Sequence, residues 1–266
     1  MKLYHYTNLE ALIGILRKEH ICFWGTRYDS MNDPTDYSYA RDFIIPKLRE
    51  FLDKTPQEPY EYIPSYPYIV SFSKEKDDFN MWRMYNADIA LEFESDTIDK
   101  YLREYNRKEN NIQFQLFGEC KYVDDNNIED KFVELFNKAE QCDDIFLTAQ
   151  EQVSLLKRKE FENENEFRLY TFDRYSSRFI GKTGEFIDCE IPVNIKVKCV
   201  RNRDIVFYKE FHLPKEALTG IIINSNDNAH FKSLKTHILL WLIQQNYTDL
   251  ERNIIQSKSI LLTKTR

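Results

Sequence analysis

From about residue 160 onward the hydrophobic period of the chain changes from helical to two, and this limits the fold more than any other feature. "NEFRLYTF", "EFIDCEI", "KCV" and "IVFYKEFHL" read as successive short strands, bounded by polar and turn residues and without intervening helices. Strands that follow one another this way pair antiparallel. The first half mixes both periods. Residues 2–7 alternate as a strand, with Leu3 and His5 on one face and Tyr4 and Tyr6 on the other. Thr7 or Asn8 then caps a helix whose Leu9, Leu12, Ile13 and Leu16 form an apolar stripe. "ICFWG", "YIVSFS" and "DIALEFE" are further strands, "DDFNMWRMY" is a short helix, and Ser95 precedes a longer one. Asp33 before Pro34 marks a turn ahead of a helix over 35–54, and residues 55–67 form a polar, Pro- and Tyr-rich loop. A helix over 227–245 and a last strand within "NIIQSKSILLT" close the chain. The expectation is an α+β protein with a split antiparallel sheet core, residues 1–266 forming one domain and 127–160 a helical hairpin or lid. A break near residue 110 is the alternative.

Composition excludes several classes. Only 6 Gly stand against 17 Tyr and 19 Phe, no G-x-G-x-x-G string occurs, and the triplet Gly181-Lys182-Thr183 has Ser176 where a P-loop needs its first glycine, which speaks against glycine-rich dinucleotide and P-loop scaffolds. A net charge of −7 argues against bulk contact with nucleic-acid phosphates. The five cysteines lack a C-x-x-C pair and read as buried thiols of a reducing compartment. "THILLWLIQQ" is too short to span a bilayer, so a cytoplasmic protein without membrane partners is expected. His20, His212, His230 and His237 show no helical ligand spacing, which argues against a zinc site.

Four strings hold polar groups that a core would not choose. His5 lies mid-strand before a helix start, where it is either a hydrogen-bonded structural residue or a donor to a ligand hydroxyl. Ser71 and Ser73 share a strand face opposite Phe72, which gives cross-strand hydroxyl bonds or room for a ligand. Met81, Trp82 and Tyr85 are helical neighbours, either core or a platform for a planar heterocycle. In "ENEFRLY", Glu164, Glu166, Arg168 and Tyr170 fall on one face and Phe167 and Leu169 on the other. That face is either a solvated, salt-bridged edge or the floor of a cleft, with Arg168 keeping Glu166 ionised.

In order, "LYHYTNLEALIGIL", "SMNDPTD", "VSFSKEKDDFNMWRMY" and "ENEFRLY" resemble a bacterial family described only as domain of unknown function twenty-nine seventy-one. The family's usual His-x-Gly after the Trp–Tyr helix is replaced here by "ADIALEF". More distantly, His5 with Thr7, Ser71-Phe72-Ser73 and Glu164-Asn165-Glu166 are similar to the ordered motifs of the ADP-ribosyltransferase superfamily. That resemblance implies NAD as substrate without a metal, and an unidentified protein or nucleic-acid acceptor, in an enzyme or a defence or toxin-like effector. It makes Glu166 and Glu164 catalytic. Glu166 would bond a ribose hydroxyl and stabilise an oxocarbenium-like transition state, and Glu164 would position the acceptor. His5 and Thr7, Ser71 and Ser73, Trp82, Tyr85 and Arg168 would bind the dinucleotide, with Arg27 or Arg83 at the pyrophosphate. Glu166→Gln is then expected to lower turnover by about 100-fold or more and to spare the fold and NAD affinity. The alternative is a nucleotide-binding sensor or interaction module that catalyses nothing.

Overall fold

The computed structural model describes residues 1–31, 67–108, 115–124, 153–172, 196–199 and 205–259, with a few isolated positions between them. The expected turn at Pro34, the helix over 35–54, the loop over 55–66, the strand "EFIDCEI" and most of 127–152 lie outside these residues. The described strands are β1 (Lys2–Thr7), β2 (Ile21–Arg27), β3 (Pro67–Ser73), β4 (Ile89–Glu94), β5 (Leu116–Glu119), β6 (Lys121–Val123), β7 (Leu156–Arg158), β8 (Glu166–Phe172), β9 (Lys196–Cys199), β10 (Ile205–Leu213), β11 (Leu218–Ile223) and β12 (Ile254–Gln256). The α-helices are α1 (Leu9–Ile15), α2 (Phe79–Met84), α3 (Ser95–Lys108) and α4 (Asn228–Gln244).

Ten of the strands form one sheet that draws on both halves of the chain, in the order β12-β11-β4-β1-β3-β2-β10-β9, with β8 on β3 and β5 on β8. Pairing is antiparallel throughout except between β11 and β12, which agrees with an α+β protein. The departure from a simple sheet is at β3. One of its edges is filled along its whole length by β8. The other edge is shared, by β1 at Ser73 and by β2 at Tyr68 and Ile69. Both β1 and β2 run antiparallel to β3, so they are parallel to each other and need a crossover, which α1 supplies. The sheet therefore forks between β1 and β2.

One face of the sheet carries the main core. Leu3, Phe23, Val70, Phe72, Leu91, Leu169 and Phe211 meet Leu12 and Ile15 of α1, Ile98 and Leu102 of α3, and Ile238 and Leu242 of α4. Of the expected stripe, Leu12 and Leu16 are buried and Leu9 packs against the core, but Ile13 is 63% exposed and Ile15 takes its place inside. Gly25 leaves the space that the Phe211 ring fills. The opposite face is covered by α2, through Met81 and Trp82 against Tyr4 and Tyr6, and by a cluster around Val123, Val153 and Leu156. Residues 156–158, expected to be helical, form β7 and pair parallel with β6.

Candidate functional site

A cleft of about 800 Å³ opens at the fork. Its walls include Tyr4 to Thr7 of β1, the first turns of α1, Cys22 to Trp24 of β2, Ile69 to Ser73 of β3, Met81, Tyr85, Glu164 and Glu166. His5, Thr7, Ser71, Ser73, Tyr85, Glu164 and Glu166 are thus brought to one concavity from segments far apart in sequence. Trp82 and Arg168 are not part of its lining.

The strand register sorts these groups by face. Tyr4 is opposite Ser73, Ser73 is opposite Glu166, and Ser71 is opposite Arg168, so all of these side chains share the face that α2 covers. His5 is opposite Leu91 and belongs to the other face. It reaches the cleft because β1 and β2 part there. Its Nδ1 lies 2.9 Å from the Ser71 carbonyl, in the part of the β3 edge that neither β1 nor β2 pairs. His5 thereby satisfies a backbone acceptor that the fork leaves without a ladder partner. Burial lowers its pKa, and its ring contacts Phe23 and Phe72. The neutral ring donates through Nδ1, which makes Nε2 an acceptor. The expected role as donor to a ligand hydroxyl is therefore reversed.

Glu164 and Glu166 arrive differently from the expected strand alternation. Glu164 ends a 3₁₀ turn over Lys159–Glu164, and Asn165 takes a left-handed conformation at φ 43°, which asparagine tolerates. Only Glu166 starts β8. Both carboxylates then converge on a residue that the sequence reading missed. Lys157 Nζ donates to Glu164 Oε2 at 2.6 Å and to Glu166 Oε2 at 2.7 Å. Arg168 donates to Glu166 Oε1 and Oε2, both at 3.0 Å, and to the Ser154 carbonyl at 2.8 Å. Arg168 is fully buried and Glu166 is 3% exposed. Since β8 lies between β3 and β5, this is no solvated edge.

Burial alone would raise the Glu166 pKa, but the Arg168 and Lys157 charges outweigh it and bring it down to about 2. An ionised carboxylate offers about four acceptor positions. Three are taken, two on Oε2 and one on Oε1, which leaves one on Oε1. Buried ion arrays return little net stability, so this one is better explained by what it presents to the cleft than by the fold it supports.

Tyr85 stands over the array. Burial, with the nearby Glu166 and Glu164 charges, raises its phenol pKa and keeps it a donor at neutral pH. Ser73 donates to the Glu164 carbonyl at 2.8 Å and accepts from the Glu75 amide, so it holds the 3₁₀ turn. The Ser71 hydroxyl makes no hydrogen bond among the described residues. Trp82 is 1% exposed, donates its indole N–H to Asp77 and meets Tyr6 edge-on, so it is core. Arg27 is forked onto Asp29 and Arg83 lies over Phe79. Among the described residues no Lys or Arg lines the cleft. The start of α1 is also satisfied internally, with Asn8 accepting from Ala11 and Asp88 from Leu9.

The segment from Met81 to Leu169, which carries α2, Tyr85 and the Glu164–Arg168 run, matches the family model described as a protein of unknown function, DUF2971, over residues 81–169. Over this segment the chain is similar to that family, in line with the resemblance of its strings. No curated protein and no solved structure matches the chain.

Proposed function

We propose that the cleft binds NAD and that the protein transfers ADP-ribose to a macromolecular acceptor, or hydrolyses NAD when water takes the acceptor's place. The bond between nicotinamide and ribose C1′ breaks, and nicotinamide leaves with the bonding electrons. The acceptor nucleophile then adds to C1′ and gives up a proton. The observation that carries this reading is the convergence of Ser71, Tyr85, Glu164 and an ionised Glu166 on one cleft. The remaining Oε1 acceptor position of Glu166 takes a ribose hydroxyl, and its charge opposes the developing oxocarbenium ion. Ser71 and neutral His5 Nε2 serve the ribose hydroxyls, and Tyr85 flanks the nicotinamide. With no cation in the described lining, affinity rests on the riboses and the nicotinamide rather than on the pyrophosphate.

The test is incubation with NAD, with free nicotinamide followed by chromatography. Glu166→Gln alone is a poor probe because it leaves Lys157 and Arg168 buried with one carboxylate fewer. The paired variant Glu166→Gln/Lys157→Met keeps the charge balance, and its turnover is expected to fall by about 100-fold while its far-UV circular dichroism is unchanged. Turnover at the parental rate in that variant would remove the catalytic assignment. The second reading, a nucleotide-binding module, is favoured by the double clamp on Glu166, which spends much of its charge on Arg168 and Lys157. NAD-induced stabilisation without nicotinamide release, with any acceptor, decides for it.

A further inference from the structure

Beyond the proposed NAD cleft, a second cluster of chemically capable side chains sits where the α1–β2 turn meets β10. Cys22 of β2 and His212 of β10 are directly opposite one another in the antiparallel ladder, so their side chains share a face. His20 comes two residues before Cys22, in the turn that the Leu16–Ile21 bridge and the Arg17 amide to His20 carbonyl bond close. The His20 and His212 rings are 4.2 Å apart, and one donor atom from each of His20, Cys22 and His212 lies within 4.8 Å of the others. A second observation points to a ligand. His20 Nε2 is buried and has no hydrogen-bond partner, a situation that costs free energy unless something meets it.

We propose that His20, Cys22 and His212 bind a divalent first-row cation of the zinc class. One thiolate and two imidazoles are a donor set suited to Zn²⁺, whose tetrahedral shell would bring the donors to about 3.3–3.8 Å from one another and leave a fourth position open. From their present separations of up to 4.8 Å the donors would have to close by about 1 Å, and the His212 side chain, 45% exposed, has solvent on one side in which to adjust. Burial pushes the Cys22 thiol up to about 11 and lowers the His212 pKa, so the imidazole is neutral and ready while the metal must displace the thiol proton. Glu210, two residues before His212 on β10, has Oε2 3.8 Å from His212 Nε2 and is held by Arg17 at 3.2 Å and Lys196 at 2.6 Å. It offsets part of those cations' charge, and it is placed to orient the His212 ring from outside the first shell. Such a site would fasten the turn after α1 to β10 beside the cleft, whose wall includes Cys22. The sequence expectation of no zinc site rested on helical His spacings. A His-x-Cys on a strand with a cross-strand histidine escapes that search.

The full chain, stripped with chelator, should be titrated with Co²⁺. The expected result is a thiolate-to-cobalt charge-transfer band in the near ultraviolet with tetrahedral visible bands, saturating at one Co²⁺ per chain and abolished by Zn²⁺. Cys22→Ser should eliminate the near-ultraviolet band. His212→Gln, at a half-exposed position that should not disturb folding, should weaken Co²⁺ affinity by at least about tenfold. Absence of the band in the parent, its persistence in Cys22→Ser, or unchanged affinity in His212→Gln would overturn the proposal.

Discussion

Two glutamates in this protein are each held by two cations, and both have carboxyl groups brought down to about pKa 2, yet their surroundings are opposite. Glu166 on β8 and its partners Lys157 and Arg168 are almost wholly dry, with side chains 3%, 8% and 0% exposed. Glu210 on β10 is 17% exposed, and its partners Arg17 and Lys196 are 36% and 49% exposed. In the first case protein charges must replace water altogether. In the second they compete with it and with salt. The same pairing therefore means different things. At Glu166 it is a costly arrangement that the fold must hold together, and at Glu210 it is a local convenience.

The largest expected effect breaks the dry array. Arg168→Met should lower unfolding free energy by about 3–5 kcal/mol, because it leaves a buried carboxylate undercompensated. Urea denaturation measures this, and a loss below about 1 kcal/mol would erase the contrast. Next is acid. Both folded-state pKa values are depressed below the ordinary glutamate value of 4.5, so the stabilisation from these carboxylates is present above about pH 4.5 and is lost as pH falls toward about 2. For buried Glu166 the loss is up to about 3 kcal/mol. Urea midpoints across that range should show a steep acid limb that 1 M NaCl leaves largely in place. A limb that salt abolishes would assign it to the exposed pairs. Lys196→Met, at the wet cluster, should cost about 1 kcal/mol or less. The smallest effect is Ser71→Ala. Its hydroxyl has no partner among the described residues, so stability should move by no more than about 0.5 kcal/mol. NAD binding, followed as a thermal shift, should nonetheless weaken by several-fold if Ser71 meets a ribose hydroxyl.

Much of the fold was legible because its signals are local. The alternation of "LYHYT", "IVSFS" and "EFRLYTF" gave β1, β3 and β8 and the faces of their side chains, and Asp78 and Asp227 cap α2 and α4 where polar residues precede helical runs. Ile13 was misplaced because α1 has only seven residues, too few for periodicity to fix its inward face. The strand at 156–158 was missed because three residues amid charged sequence carry no period. Lys157 went unnoticed for the same reason. Nothing local distinguishes it from Lys159, which is more than half exposed and reaches Asp124 at 3.6 Å.

By itself the sequence determined which residues alternate, which runs become strands, and that Glu166 and Arg168 share a face two residues apart. Steric period and local capping fix those features without reference to distant parts of the chain. Only the tertiary structure decided that Glu164 enters from a 3₁₀ turn and that Lys157 sits between the two carboxylates. It alone decided that His5 serves the gap in the β3 edge, and that His20 and Cys22 meet His212. Each of these depends on which strand lies beside which, and that is settled by burial of the common apolar face and the forking of β1 and β2 from β3, long-range terms that no local window contains.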